Sequence, residues 1–128
     1  MTVWPGIDLV AVDEVREALA AHGEHYLRRV FTDTEIAAAG GADAPDVAVL
    51  ARTLAAKEAL AKALRIGDAP LPWTDVELNQ PPTGPIQLVL RGAAAALAAQ
   101  RGAQVLSATT SMQGDLAAAI VVAGDESS

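Results

Sequence analysis

Two patterns of apolar and polar residues divide the chain. Val3 to Val10 is an apolar run interrupted by Pro5, Gly6 and Asp8, which predicts a strand that is irregular or at a sheet edge. From Asp13 the spacing becomes helical. Asp13 to Ala21 predicts a helix with acids in its first turn, as the macrodipole favours, and Gly23 ends it. Glu24 to Val30 reads as a second short helical segment. Thr32-Asp33-Thr34-Glu35 has the form of a capping box, with Thr32 as N-cap, opening a short helix that runs through Ala39 to the stop at Gly40-Gly41. Asp46 is placed to cap a long helix from about Val47 to Arg65 that ends at Gly67. Asp68 to Pro72 is a proline-restricted connection. Asp75 to Leu78 and Ile86 to Leu90 predict a hairpin around the turn at 79–85. Gly92 to Arg101 predicts an alanine-rich helix stopped by Gly102, followed by strands at Gln104–Thr109 and Leu116–Ala123 around a turn at Ser111–Asp115. Helices followed by strands predict an α+β fold, helices packed on a mostly antiparallel sheet. The expectation is one domain over residues 1–124 and a polar, frayed tail at 125–128.

The long helix holds the first candidate chemistry. At about 100° per residue, Leu50, Leu54, Leu60, Ala61 and Leu64 share one arc and should face the core. Lys57 falls within that arc, where a charge is costly unless it is paired or placed at a cavity. Glu58 and Lys62 lie just beyond the edge, four residues apart and therefore neighbours on the surface. A carboxylate and two ammonium groups bordering an apolar face suit a metal ion and phosphates. The bland alternative is a Glu-to-Lys pair that solvates a helix. Asp8, inside the apolar run Ile7-Asp8-Leu9-Val10, needs a partner, a metal or an exposed strand face.

Composition narrows the choices. Hydrophobic residues are 52% of the 128, yet the only aromatics are Trp4, Tyr26, Phe31 and Trp73, so the core must be built from Ala, Leu, Val and Ile. Alanine-heavy packing buries little area per residue, and oligomer formation would add to stability. The net charge of −7 argues against non-specific binding to nucleic acid or anionic membranes. Without cysteine there is no disulfide, thiolate nucleophile or cysteine metal site. His22 and His25, in a polar stretch, make a poor zinc site, which leaves a hard, oxygen-ligated cation such as Mg²⁺. The N-terminus has neither a basic n-region nor an apolar h-region, and no apolar run has spanning length, so the expectation is a soluble cytoplasmic protein.

Two segments together resemble a known family. Gly6-Ile7-Asp8-Leu9-Val10 resembles its Gly-Ile-Asp motif, and Ala55-Ala56-Lys57-Glu58-Ala59-Leu60-Ala61-Lys62-Ala63 resembles its Ala-x-Lys-Glu-Ala-x-x-Lys-Ala helix. Tyr26-Leu27-Arg28-Arg29-Val30-Phe31-Thr32 and Trp73-Thr74-Asp75-Val76-Glu77 are further matches. The family is the AcpS-type 4′-phosphopantetheinyl transferases, or holo-acyl-carrier-protein synthases, and the resemblance spans residues 3 to 123. It implies transfer of the 4′-phosphopantetheine arm of coenzyme A to a serine of an acyl carrier protein, with Mg²⁺ as cofactor and release of 3′,5′-ADP. It also implies a homotrimer with active sites between subunits. On this resemblance Asp8 and Glu58 are the metal carboxylates, and Lys62 is the active-site lysine. Lys57, Lys62, Pro85, Thr109 and Ser111 are candidate coenzyme contacts, and Arg16, Arg28 and Arg29 candidate carrier contacts.

Three positions depart from the family pattern. The late motif Ser-x-Ser-His is expected at Thr109-Thr110-Ser111-Met112, which puts a thioether in place of an imidazole. The Gly-Lys-Pro turn is Thr83-Gly84-Pro85, without the lysine. Glu14 stands where many members have a basic residue that meets the carrier. The resemblance therefore carries two readings: an active transferase, or a catalytically impaired homologue that binds or assembles, the second resting on Met112.

Overall fold

The computed structural model describes residues 1–66 and 71–125. In order the elements are β1 (Val3–Ala11), α1 (Val12–Val30), α2 (Asp33–Ala38), α3 (Val47–Ala63), β2 (Val76–Asn79), β3 (Gln87–Leu90), α4 (Gly92–Gln100), β4 (Ala103–Gln113) and β5 (Leu116–Asp125). β1, β5 and β4 form an antiparallel sheet in that order, and β2 and β3 form the expected hairpin as a second sheet. The architecture is the α+β arrangement that the order of patterns predicts. Among the described residues no helix is long and apolar enough to cross a membrane.

The core is α3 laid across the inner face of the three-stranded sheet. Its leucines at 50, 54, 60 and 64 are buried as expected, and so are Ala51, Ala55, Ala56, Ala59 and Ala63. The buried surface is thus wider than one arc, with Ala61 only half-buried. Small residues let the backbones approach. A Cβ on Gly6 would lie 1.9 Å from the Ala59 carbonyl oxygen and 2.6 Å from the Ala63 nitrogen, so β1 rests directly on α3. This contact explains the glycine of the Gly6-Ile7-Asp8 run: any side chain there would push the strand off the helix.

Capping follows the sequence closely. Thr32 accepts from the Glu35 N–H while the Glu35 carboxylate accepts from the Thr32 N–H, completing the capping box. Asp46 accepts from the N–H groups of Ala48 and Val49 at the start of α3. Gly23 breaks α1 with φ 57°, ψ −138°, leaving the two helical segments expected on either side.

Four boundaries differ from expectation. α3 stops at Ala63 because Arg65 takes a left-handed φ of 54°, its guanidinium 4.8 Å over the Trp4 ring; Gly67 and residues 68–70 of the proline-restricted connection lie outside the described residues. Asp75 lies in a 3-10 turn (Trp73–Asp75) and its carboxylate accepts the Ala93 N–H at the start of α4. β4 continues to Gln113, so Ser111 and Met112 belong to the strand, and the final turn shrinks to Gly114-Asp115. Gly124 and Asp125 belong to β5, the Asp125 N–H donating to the Thr2 carbonyl; residues 126–128 of the expected tail lie outside the described residues.

The sheet's two faces differ sharply. Cross-strand rows on the inner face are Gly6–Val121–Ala108, Asp8–Ala119–Thr110 and Val10–Ala117–Met112. The outer face carries Ile7–Ile120–Thr109 and Leu9–Ala118–Ser111, and Val3, Ile7, Leu9, Leu106, Leu116 and Ile120 stand exposed.

Candidate active site

Asp8 is the only ionisable residue of β1 and points inward, toward the flank of α3, with its side chain 11% exposed. Because β1 touches α3 at Gly6, Asp8 two residues later meets the last two turns of the helix. Asp8 Oδ1 accepts from Lys62 Nζ at 2.6 Å, and Lys62 Nζ also donates to the Ile7 carbonyl at 3.1 Å. The sequence pairs Glu58 with Lys62; the structure pairs Lys62 with Asp8 and places Glu58 against Asp8 instead.

Two carboxylates in contact set the electrostatics. Burial, then the hydrogen bond with Asp8, then the charges of Asp8 and Glu14 push the Glu58 carboxyl up to about 8, against the opposing pull of Lys62. Asp8 Oδ2 is buried and finds no N–H or O–H donor among the described residues. A proton on Glu58, shared with Asp8, relieves that deficit. The hydrogen bond to Asp8 holds the Lys62 ammonium above the usual lysine range, so it remains charged at neutral pH. The arrangement is a pair of hard oxygen donors, one on a strand and one on a helix, that requires a positive species between them. A divalent cation such as Mg²⁺ fits that requirement. Among the described residues no three His, Asp or Glu side chains converge as a ready cage, so the remaining ligands would come from water or substrate.

Lys57, one residue from Glu58, does not reach this cluster. It is fully buried on the other side of the helix, 2.6 Å from Glu35, and donates to the carbonyls of Val30 (2.8 Å) and Trp73 (2.9 Å). Burial pushes its ammonium below the ordinary lysine range, with Glu35 pulling the other way. Glu35 also accepts the Leu78 N–H at 2.7 Å. The expectation that Lys57 contacts the coenzyme is corrected: all its donors are spent on tying α1, α2, α3 and the Trp73 turn together.

On the opposite flank of α3 lies a cleft of about 490 Å³, lined by Thr34, Glu35, Arg52, Thr53, Gln87 and Thr110 among others. It contains none of Asp8, Glu58 and Lys62. Arg52 is half-buried beside it, with an Nε that is buried and lacks a hydrogen-bond partner. A guanidinium with an unfilled donor at a cleft suits an anion. Sequence reasoning passed over Arg52, although it lies in the same helix motif; the signal was a lone arginine in an otherwise buried turn.

The expected coenzyme contacts on β4 scatter. Thr110 lines the cleft, whereas Thr109 and Ser111 project from the outer face beside Ile120 and Ala118. Met112 is half-buried against the hydrophobic core, opposite Ala117. Met112 therefore does not occupy a vacated imidazole position in the cleft. Pro85 lines a shallow hollow between β3 and β4. Of the expected carrier contacts, Arg16 pairs with Asp13, Arg28 bridges Glu24 and Asp33, and Arg29 is exposed beside His25.

The sequence profile of the 4′-phosphopantetheinyl transferase superfamily matches residues 5–121. The holo-[acyl-carrier-protein] synthase of Desulforudis audaxviator is 38% identical over 123 residues, covering 96% of this chain and 93% of the relative. That of Salinispora arenicola is 40% identical over 124 residues, covering 96% and 98%. The crystal structure of the Neisseria meningitidis holo-[acyl-carrier-protein] synthase has a TM-score of 0.83 at 25% identity, covering 95% of this chain and 98% of its own. The Helicobacter pylori synthase in complex with coenzyme A has a TM-score of 0.80 at 26% identity, covering 94% and 99%.

Proposed function

The chain belongs to the 4′-phosphopantetheinyl transferase superfamily, and from that premise we propose that it moves the 4′-phosphopantetheine arm of coenzyme A onto a serine of an acyl carrier protein or carrier domain, releasing 3′,5′-ADP. The observation that supports this most is the Asp8–Glu58 pair, two carboxyls in contact with a buried oxygen that lacks a donor. Asp8 and Glu58 would hold Mg²⁺, which when bound polarises the pyrophosphate and stabilises the leaving phosphate oxygen. Lys62 stays an ammonium and supplies fixed positive charge beside the reacting phosphates rather than taking the serine proton. Asp8 orients Lys62 through the 2.6 Å contact.

The unfilled guanidinium of Arg52 and the hydroxyl of Thr110 suit the anionic nucleotide end of the coenzyme. Within one chain that cleft and the carboxylate pair flank α3 from opposite sides: Asp8 and Thr110 share a row two strand spacings apart, about 10 Å. A site assembled between subunits accounts for the separation. The exposed apolar outer face of the sheet supports the homotrimer, since residues such as Ile7, Leu9 and Ile120 gain by being covered. We place the enzyme in the cytoplasm with its substrates. Met112 lies outside the cleft and no imidazole lines it, so the reading of a catalytically impaired homologue rests on the missing histidine rather than on the methionine.

The test is to incubate the purified protein with coenzyme A, Mg²⁺ and a panel of apo carrier proteins, and to weigh the carriers by mass spectrometry. One added phosphopantetheine arm is the expected result. No gain on any carrier, while a known transferase loads the same panel, would overturn the reading.

A further inference from the structure

We infer that Arg65 is a further binding residue for the donor: its guanidinium, held on the ring of Trp4, takes a phosphate group of the coenzyme on the side of Lys62 away from the carboxylate pair. The inference rests on the transferase reading and adds a second fixed cation beside Lys62.

The seam between β1 and α3 puts Arg65 in line with the site. Gly6 touches the α3 backbone at Ala59 and Ala63. Two residues further along β1, Asp8 meets Lys62. Two residues back, Trp4 lies under Arg65, with the guanidinium carbon 4.8 Å from the ring centroid. Following β1 from Asp8 to Trp4 therefore follows the edge of α3 from Glu58 past Lys62 to Arg65. Along that edge the three side chains stand at i, i+4 and i+7, the spacing that keeps them on one helical face about one turn apart. Lys62 and Arg65 are exposed there, and Glu58 is half-buried.

Arg65 holds this place against its backbone preference. Among the described residues it is the only one other than glycine with a positive φ, 54°. That conformation closes the end of α3: the Arg65 N–H donates to the Lys62 carbonyl at 3.0 Å and the Ile66 N–H to the Ala61 carbonyl at 3.4 Å. Glycine would close the helix in the same way and without strain. What the arginine adds is a positive charge at a fixed position. Trp4 does the fixing, since a guanidinium lying on an aromatic face has its N–H edge left to point outward.

The charge is also unspent. Arg16, Arg28 and Arg91 each reach a carboxylate, and Lys62 is bonded to Asp8, whereas Arg65 makes no ion pair among the described residues. The macrodipole favours a cation at a helix C-terminus, but Lys62 already stands in the last turn of α3. The seam offers a donor two carboxylates and one lysine that is already paired, which leaves an anionic coenzyme short of positive charge even with a divalent cation bound. A forked, outward-facing set of N–H donors one turn beyond Lys62 supplies it, in the geometry that matches phosphate oxygens. In a protein of net charge −7 such fixed local cations, rather than the long-range field, must hold an anionic substrate.

The test uses Arg65→Gly, which removes the charge and relieves the backbone, with Arg65→Lys as the variant that keeps the charge. Coenzyme A binding in Mg²⁺ is measured by titration calorimetry without a carrier, and KM is then measured separately for coenzyme and carrier. In Arg65→Gly the Kd and the KM for coenzyme A should rise roughly tenfold, with kcat and the KM for the carrier close to wild type. The rise should shrink at high salt, and Arg65→Lys should recover part of the affinity. Melting of Arg65→Gly should hold, because glycine takes the left-handed conformation freely. An unchanged Kd and KM for coenzyme A in Arg65→Gly overturns the inference and makes Arg65 a clasp between α3 and β1. A rise confined to the KM for the carrier overturns it in favour of a carrier contact. If the wild-type chain neither binds coenzyme A nor loads any carrier, the transferase reading falls with it.

Discussion

Lys57 and Glu58 are adjacent on one helix, and each belongs to an ion-paired centre, yet the two centres are opposites. The Lys57–Glu35 centre is sealed: both side chains are at or below 1% exposed, and every donor and acceptor reaches a partner. The centre of Asp8, Glu58 and Lys62 is half-open, has more carboxylates than cations, and leaves a buried oxygen without a donor. A completed polar network specifies structure; an incomplete one stores an affinity for something outside the chain. The difference is set by helix geometry alone, since one residue step turns the side chain by about 100° from the interior to the rim.

Removing one member of the sealed centre should have the largest effect. Lys57→Ala leaves Glu35 buried and unpaired, which costs about 3–5 kcal/mol. Thermal unfolding should shift down by upwards of about 10 °C. Replacing the pair by Met and Leu should not restore stability. Glu35 and Lys57 also serve the N–H groups of Thr32 and Leu78 and the carbonyls of Val30 and Trp73, and an apolar pair strands all four. Recovery of wild-type melting in the double variant would show that the network does not act as a unit.

The half-open centre should respond in the opposite way. Glu58→Gln keeps the shape, still offers a donor to Asp8 and removes a group whose ionised form the site disfavours, so melting of the metal-free protein should hold at neutral pH and rise above about pH 8. Transfer should fall by about 10²–10³-fold, the scale of losing one group that stabilises developing charge. Unchanged turnover would remove Glu58 from the metal assignment.

Gly6→Ala joins the two tests, because Gly6 seats the strand that carries Asp8 on the helix that carries both Lys57 and Glu58. The added methyl meets backbone at 1.9 Å, which no side-chain rearrangement can relieve. About 1–3 kcal/mol of stability should be lost as the strand lifts. The Mg²⁺ concentration for half-maximal transfer should rise as well, while Lys57 remains paired. A variant that loses stability with its Mg²⁺ dependence unaltered would separate the strand contact from the site.

Much of this was legible in the sequence. The capping box at Thr32–Glu35, the cap at Asp46, the hairpin and the carboxylate pair follow from local patterns and from a resemblance carried by contiguous residues. What escaped depends on distant partners. Helical spacing marks Lys57 as buried but cannot name Glu35, 22 positions earlier, so the lysine was read as a ligand contact. The same limit hid the switch of Lys62 from Glu58 to Asp8. On β4, alternation alone divides Thr110 from Thr109 and Ser111, but the bulge between Val105 and Ser107 and the extension to Gln113 are set by pairing with β5. Without that register the sequence could not tell that Thr109 and Ser111 face outward while Thr110 and Met112 face inward.

The smallest effect is a pH slope carried by the half-open centre. The Glu58 carboxyl titrates at about 8 in the folded chain, against 4.5 for the ordinary group. Between those values the folded state binds more protons than the unfolded state. The contribution to stability is therefore complete below about pH 4.5 and is lost as pH rises through about 8. Solvent screening of a half-exposed group limits the loss to roughly 1–2 kcal/mol. Unfolding of the metal-free protein, followed from pH 5 to 9 (a range chosen to bracket the titration), should show this decline superimposed on the titration of other groups. Glu58→Gln should lack it, having no proton to lose there. Saturating Mg²⁺ should flatten it in the wild-type chain, because the cation replaces the shared proton between Asp8 and Glu58. If wild type and Glu58→Gln trace parallel curves without metal, the two carboxyls do not share a proton, and the half-open centre is no more poised for a cation than a surface pair.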